Sequence, residues 1–365
     1  MTTHKLLFSD SRHLDALGES TVDLVVTSPP YPMIEMWDSP FSENNPEIAS
    51  ALGSNDGTAA FELMHKELDR TWDHVVRLLK PGGWACINIG DATRTIGDNF
   101  QLFSNHTRIT QALIARGLRS LPLIIWRKQT NAPNKFMGSG MLPAGAYVTL
   151  EHEYILLFRK GKRRLFLNES DMVNRKKSSF FWEERNVWFS DVWDFKGTRQ
   201  PLNHSSLRER SAAFPFELAY RLILMYSARN DLILDPFLGT GTTTFAAMAT
   251  ERSSVGIEID PNFRQLIHGS LPDVPRIANE YISRRLTSHV AFLKTYESEK
   301  GITKHVNLNY GFNVVTSQER NIQLAYVSKI QQNDDGDYLV SYDESVALEA
   351  PPQLRNPADS QLQLL

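Results

Sequence analysis

The sequence predicts an α/β protein, a sheet with helices packed on both faces. Three observations carry that prediction. Short apolar runs alternate along the chain with longer stretches in which apolar residues recur every three or four positions. The run VDLVVTS, residues 22–28, is almost continuously apolar, as befits a strand buried on both faces. Further along, DLILDPF, LGTGTTTFAAMAT and SSVGIEID read as a strand, a glycine-broken turn leading into a helix, and a second strand.

Taken in order, KLLFSD (5–10) gives a short first strand and VDLVVTS the second. Phe61, Met64, Leu68, Trp72, Val75, Val76 and Leu79 then share one helical face, and KPGG (80–83) closes that helix. WACINIGD (84–91) is a strand, 105–116 a helix, and LPLIIWR (121–127) and EYILLFR (153–159) are two more strands. After RKGKRR (159–164) the apolar period lapses until FPFELAYRLILMYSA (214–228), a helix with proline at its start. Beyond Leu271, a helix over 276–293 and a hairpin of NIQLAYVSKI and DYLVSY around NDDGD read as an appendage, followed by a loosely held tail.

Composition narrows the function classes. With 41% hydrophobic and 22% charged residues among 365, the chain can bury one large core or two smaller ones. It holds no apolar run of about 18 residues. MTTHKLLFSD lacks the long apolar centre of a signal peptide, so a cytoplasmic location is expected. The single cysteine, Cys86, excludes an internal disulfide framework, and without a His/Cys cluster at ligand spacing no metal is expected. A net charge of -3 by itself disfavours a nucleic-acid partner, but the charge is unevenly spread.

Two motifs carry chemistry. In DPFLGTGTT, Gly239 and Gly241 stand between a strand and a helix, where they let a ligand approach the backbone while the helix start supplies N–H donors. A phosphate loop would place a lysine beside the hydroxyl residue, whereas Gly241 is followed by Thr242, Thr243 and Thr244. A dinucleotide fingerprint would add a third glycine, which is missing, although Glu258 ends the next strand as a ribose-hydroxyl acceptor would. A nucleoside without pyrophosphate fits; a structural turn is the alternative for this loop alone. In TSPPY, the two prolines stiffen the chain after Ser28 and bring no N–H of their own. The Ser28 hydroxyl and nearby carbonyls form a cluster of acceptors beside the aromatic face of Tyr31, at the carboxyl end of a strand. That cluster suits a flat ring bearing an amino group, such as a flipped-out nucleobase. A bare PPY is equally a loop that merely ends a strand.

Together, SPPY (28–31) and DPFLGTGTT (235–243) resemble the amino-group DNA methyltransferases that use S-adenosylmethionine. The catalytic motif precedes the cofactor motif, as in the permuted β class of that family, and the likeness runs from Lys5 to Arg264. It implies a Rossmann-like methyltransferase fold whose sheet has seven strands, mostly parallel, with one antiparallel hairpin. It implies S-adenosylmethionine as cofactor, with Asp235, Pro236, Phe237, Gly239, Gly241 and Thr242 at the methionine end and Glu258 at the ribose. Asp10 would meet the adenine amino group, because KLLFSD takes the place of the strand that follows Glu258 in unpermuted relatives. Phe214 and Pro215, with His204 nearby, resemble the motif that closes over the methionine moiety; His204 alone reads as a structural histidine.

The implied reaction is direct, in-line attack by an exocyclic amine on the sulfonium methyl. Such an amine is a weak nucleophile because its lone pair is delocalised. Hydrogen bonds to the Ser28 hydroxyl and the Pro29 carbonyl, in a site framed by Pro30 and Tyr31, would favour a pyramidal nitrogen. Neither a strong base nor a covalent enzyme intermediate is needed. Carbon-5 methylation would need a thiolate in a Pro-Cys setting, and Cys86 sits within a strand instead. In this family Ser before PPY accompanies cytosine and Asp or Asn accompanies adenine, so N4 of cytosine is expected. Adenine N6, an RNA or protein substrate, and a non-catalytic cofactor- and DNA-binding module are the alternatives.

Double-stranded DNA is the expected partner. From Arg159 to Lys177 eight basic residues stand against two acidic ones, and from Arg116 to Lys135 five stand against none. The expected phosphate contacts are Arg159, Lys160, Lys162, Arg163, Arg164, Arg175, Lys176 and Lys177, with a solvated loop as the alternative for each run. The chain then divides into 1–158 (catalytic, with the target-base site), 159–200 (target recognition), 201–270 (catalytic, with the cofactor site) and 271–365 (the appendage, for base reading or dimer contacts). The protein would act as a monomer or homodimer beside a separate restriction endonuclease.

Overall fold

The computed structural model describes residues 1–128, 138–196 and 214–345. Along the chain the strands are β1 (Thr2–Phe8), β2 (Val22–Thr27), β3 (Leu79–Ile89), a small hairpin of β4 (Ala92–Ile96) and β5 (Asn99–Phe103), β6 (Leu118–Arg127) and β7 (His152–Lys160). They continue with β8 (Val192–Asp194), β9 (Leu232–Asp235), β10 (Ser253–Glu258), a short pair of β11 (His305–Val306) and β12 (Asn313–Val314), and a hairpin of β13 (Tyr326–Gln332) and β14 (Tyr338–Asp343).

Seven of these form the expected sheet, in the order β1-β10-β9-β2-β3-β7-β6, with β7 alone running against the rest. The strand number is nevertheless corrected from seven to ten. β8 adds in parallel to β6 at one edge, and the hairpin β13–β14 adds to β1 at the other. The region beyond Leu271, read as an appendage, thus extends the main sheet: β14 pairs antiparallel along Thr2–His4 and covers what would otherwise be an open edge.

All six residues of β2 are buried, because Leu24 and Val26 enter one core while Val25 enters the other. The second core is closed by the helix Gly57–Leu78, whose start is capped by Asp56 accepting from the Ala59 N–H at 2.9 Å. Its residues Met64, Leu68, Trp72 and Val75 are at most 3% exposed. KPGG does not form a loop after this helix. Leu79 turns extended and residues 80–83 already belong to β3, with Gly82 at φ +85°, where a Cβ would lie 2.7 Å from the Arg164 backbone.

The first core is covered by the helices Phe216–Tyr226, Thr242–Met248 and Val274–Lys300. The last is fastened to the helix Trp182–Trp188 by Arg285–Glu184 (2.6 Å) and His289–Glu183 (2.8 Å). Glu183, His289 and Glu319 bring ligand-type atoms within 4.8 Å of one another, but both Glu319 oxygens are taken by the Trp182 and Thr316 N–H groups. Among the described residues no helix is long and apolar enough to cross a membrane.

Candidate active site

Parallel strands all end at one pole, and side chains just beyond their carboxyl ends converge there. Ser28 follows β2, Asp235 ends β9, Glu258 ends β10 and Asp10 lies two residues past β1. Thr27 Oγ donates to Asp235 Oδ1 at 2.6 Å and ties the ends of β2 and β9 together. A cavity of about 440 Å³ is lined by Asp10, Ser28, Pro29, Pro30, Phe214, Asp235, Pro236, Phe237, Gly239, Thr242 and Glu258. That volume is in the range of small-ligand sites. The structure therefore joins the two sequence motifs in one space. Gly241 and Pro215 stand just behind the lining, as the residues before the helices Thr242–Met248 and Phe216–Tyr226. His204 lies outside the described residues.

The donor set fits S-adenosylmethionine. Gly239 (φ +53°) and Gly241 (φ +89°) both adopt the left-handed region. A Cβ on Gly239 would project into open space, and one on Gly241 would stand 3.1 Å from Phe245. Glu258 shapes the same loop, accepting from the Gly239 N–H at 2.7 Å and the Asp260 N–H at 2.9 Å. Burial pushes its carboxyl up in spite of those bonds. Asp235 is 2% exposed, and burial pushes its carboxyl up to about 6 against the pull of hydrogen bonds from Thr27, Thr243 and the Phe237 N–H. A buried anion of this kind calls for a cation, and an ammonium group in the cavity would supply one. Burial also pushes Asp10 up, but its bonds to Arg12 outweigh this and hold the carboxyl below its ordinary value. Arg12, absent from the sequence reading, clasps Asp10 and reaches Glu67 (2.6 Å) and Asn44 (2.7 Å).

Of the residues expected around the target base, Ser28 and both prolines line the cavity, but the expected aromatic face of Tyr31 does not. Tyr31 is 7% exposed, with its ring against Gly90, where a Cβ would lie 3.0 Å from Cε2. The aromatic lining of the cavity comes from Trp37, Phe41, Phe214, Phe237 and Phe263. The Tyr31 hydroxyl is drawn into the sheet by Glu153 (3.0 Å) and Asn88 (2.9 Å), and Ser28 Oγ donates to it at 3.2 Å. Burial first, and then the charge of Glu153, push the phenol well above its ordinary value, so it stays protonated. Asn88, Glu153 and Lys128 were missed in the sequence. The available signal was a polar residue inside the apolar strand CINIG and an acid opening the apolar strand EYILLF.

The structure places the expected phosphate contacts at the opposite end of the sheet from the cavity. β7 carries the chain away from the catalytic pole, so Arg159 and Lys160 leave the sheet roughly 25 Å from His152. Lys160 Nζ donates to the Val76 and Leu79 carbonyls and caps the helix Gly57–Leu78. Arg164 pairs with Asp231 (2.6 Å) and Asp23 (3.2 Å), and Lys177 with Glu344 (3.7 Å). These cations hold the far end of the sheet together. Lys162, Arg163, Arg175 and Lys176 are exposed on the same segment.

Fold and site define a class of α/β enzyme, a methyltransferase with an acceptor-rich cavity beside a glycine loop. A family model described as DNA methylase matches residues 22–268, and the chain belongs to that family. It is 49% identical to the Type II methyltransferase M.MthZI of Methanothermobacter thermautotrophicus, over 94% of this chain and 96% of that one. It is 46% identical to the Type II methyltransferase M.MjaI of Methanocaldococcus jannaschii, over 73% and 90% of the two chains. Among solved structures, TTHA0409 of Thermus thermophilus, described as a candidate DNA modification methylase and complexed with S-adenosyl-L-methionine, aligns with a TM-score of 0.55 and 32% identity over 72% and 91% of the two chains. The cytosine-N4-specific PvuII DNA methyltransferase aligns with a TM-score of 0.50 at 16% identity, over 76% and 94%, a likeness of fold alone.

Proposed function

We propose that the protein transfers the methyl group of S-adenosylmethionine to the exocyclic N4 amine of a cytosine flipped out of duplex DNA, as the modification half of a restriction–modification pair. One observation carries the reading. The Ser28 hydroxyl gives its proton to Tyr31, which leaves its lone pairs for a cavity shared with Asp10, Asp235 and Glu258.

When bound, S-adenosylmethionine supplies a sulfonium methyl with a good leaving group already in place. Asp235 and the loop 236–242 hold its methionine end, Glu258 the ribose hydroxyls and Asp10 the adenine amino group. Ser28 and the Pro29 carbonyl accept from the target amine and aim its lone pair. Duplex DNA approaches the catalytic pole, where Arg127 and Lys128 end β6 about half exposed. Cytosine is favoured over adenine by the serine ahead of PPY.

Cys86 has no part in this chemistry. It is 0% exposed in the middle of β3, and burial pushes its thiol well up. Tritiated methyl groups are expected to enter unmethylated duplex DNA, undiminished by excess RNA, and Cys86→Ala is expected to transfer at close to the wild-type rate. Label in RNA or protein, or a loss of transfer in Cys86→Ala, would overturn the reading.

A further inference from the structure

A hydroxyl can turn its one proton in several directions, so a serine accepts from a substrate amine only when another group takes that proton. Around Ser28 the hydrogen bonds run one way. Ser28 Oγ donates to Tyr31 Oη over 3.2 Å, and Tyr31 Oη donates to Glu153 Oε2 over 3.0 Å. The Asn88 side-chain amide donates to Tyr31 Oη at 2.9 Å and to Glu153 Oε2 at 2.7 Å, and Lys128 Nζ holds the other Glu153 oxygen. Of these groups only the carboxylate has no proton to give. Its charge turns the Asn88 NH2 toward it, even though the Asn88 carbonyl oxygen is thereby left buried without a partner among the described residues. With Asn88 offering only N–H, the Tyr31 proton goes to Glu153, and the Tyr31 lone pair remains for Ser28.

We infer that Glu153 is a positioning residue for methyl transfer: through Tyr31 it fixes the direction of the hydrogen-bond chain, so that Ser28 accepts an amino group and rejects a keto group at the same ring position. The inference rests on the reading of Ser28 as the acceptor for the target amine. Glu153, Asn88 and Lys128 belong to neither sequence motif; the sheet assembles them. Asn88 pairs with Ile155 and Ile89 with Tyr154 across β3 and β7, while Arg127, just before Lys128, pairs with His152 across β6 and β7. Glu153 is 9% exposed and is paired with Lys128. A uracil in the pocket would present a carbonyl oxygen where cytosine presents N–H. Ser28 would then have to turn its proton outward, leaving its own lone pair against that of Tyr31 while Tyr31 stays committed to Glu153.

The test uses the full-length protein with S-adenosylhomocysteine for binding and S-adenosylmethionine for single-turnover transfer. Duplexes carry cytosine or uracil at the mapped methylation position, and the variants are Glu153→Gln, Tyr31→Phe and the double. Glu153→Gln is expected to bind S-adenosylmethionine within about twofold of wild type but to transfer about 30-fold more slowly. Its preference for binding cytosine over uracil is expected to fall about tenfold. Tyr31→Phe is expected to behave alike, and the double variant to be no worse than either single one, because both break the same chain. A merely structural role would lower the melting temperature and cofactor affinity and leave the cytosine preference in place, and that result would overturn the inference. So would additive losses in the double variant. If the methyl group is found on adenine N6, the base assignment fails separately. The same variants are then assayed with adenine against hypoxanthine, where a reduced amino-over-keto preference upholds the role of Glu153 and an unchanged one refutes it.

Discussion

Replacing Ser28 with alanine is expected to slow methyl transfer about 100- to 1,000-fold while S-adenosylmethionine binds as before. The hydroxyl lies between the cavity and the buried Tyr31–Glu153 pair. Alanine removes it at almost no cost in volume, and the prolines keep the backbone course. A target amine would keep the Pro29 carbonyl as its acceptor and lose the group that fixes its second N–H, so the loss falls on orientation in the transition state. Single-turnover transfer measures this, and calorimetric titration of the cofactor gives the control. A reduced cofactor affinity with an unchanged rate would assign Ser28 to the wrong half of the site.

The second large effect belongs to Asp235. Asp235→Asn is expected to weaken S-adenosylmethionine binding on the order of 100-fold, yet to stabilise the ligand-free fold above pH 6. The sign follows from the raised carboxyl. Folding lifts it from 3.8 to about 6, so between those values the folded chain holds a proton that the unfolded chain has lost. Stability from this group is therefore lost as pH rises through that window, and the cost above it is roughly 3 kcal/mol. Asparagine keeps an oxygen that accepts from both Thr27 and the Phe237 N–H and carries no charge to desolvate. Thermal melts from pH 4.5 to 8 are expected to show the variant several degrees more stable at the upper end, with the gap closing toward the lower. Wild-type cofactor affinity is expected to fall below pH 6 as Asp235 takes up its proton. A variant that binds S-adenosylmethionine like wild type would remove Asp235 from the cofactor site.

Much of this site was legible because its chemistry is local in sequence. TSPPY and DPFLGTGTT each carry their own backbone geometry, and the nearly continuous apolar run of β2 favours burial on both faces, which places both motifs at strand ends. What depends on strand direction was not legible. The basic run after Arg159 looked like a DNA contact because it follows a strand near the catalytic residues in sequence, but β7 is antiparallel and delivers it to the opposite pole. Tyr31 looked like a stacking platform because a sequence gives no sign of where a ring turns; the pull of Glu153 and Asn88 on its hydroxyl takes it out of the cavity. The three added strands escaped for separate reasons. Val192–Asp194 is too short to carry an alternation, and the hairpin after Tyr326 was recognised without its partner, since pairing with β1 spans the length of the chain.

The most direct measurement of the central claim is nucleoside analysis of DNA from a methylation-free host expressing the protein. After digestion to single nucleosides, mass spectrometry is expected to find N4-methylcytosine with the wild type and none with Ser28→Ala. N6-methyladenine in its place, or no methylated base at all, would contradict the assignment of the cytosine amine as the group that Ser28 orients.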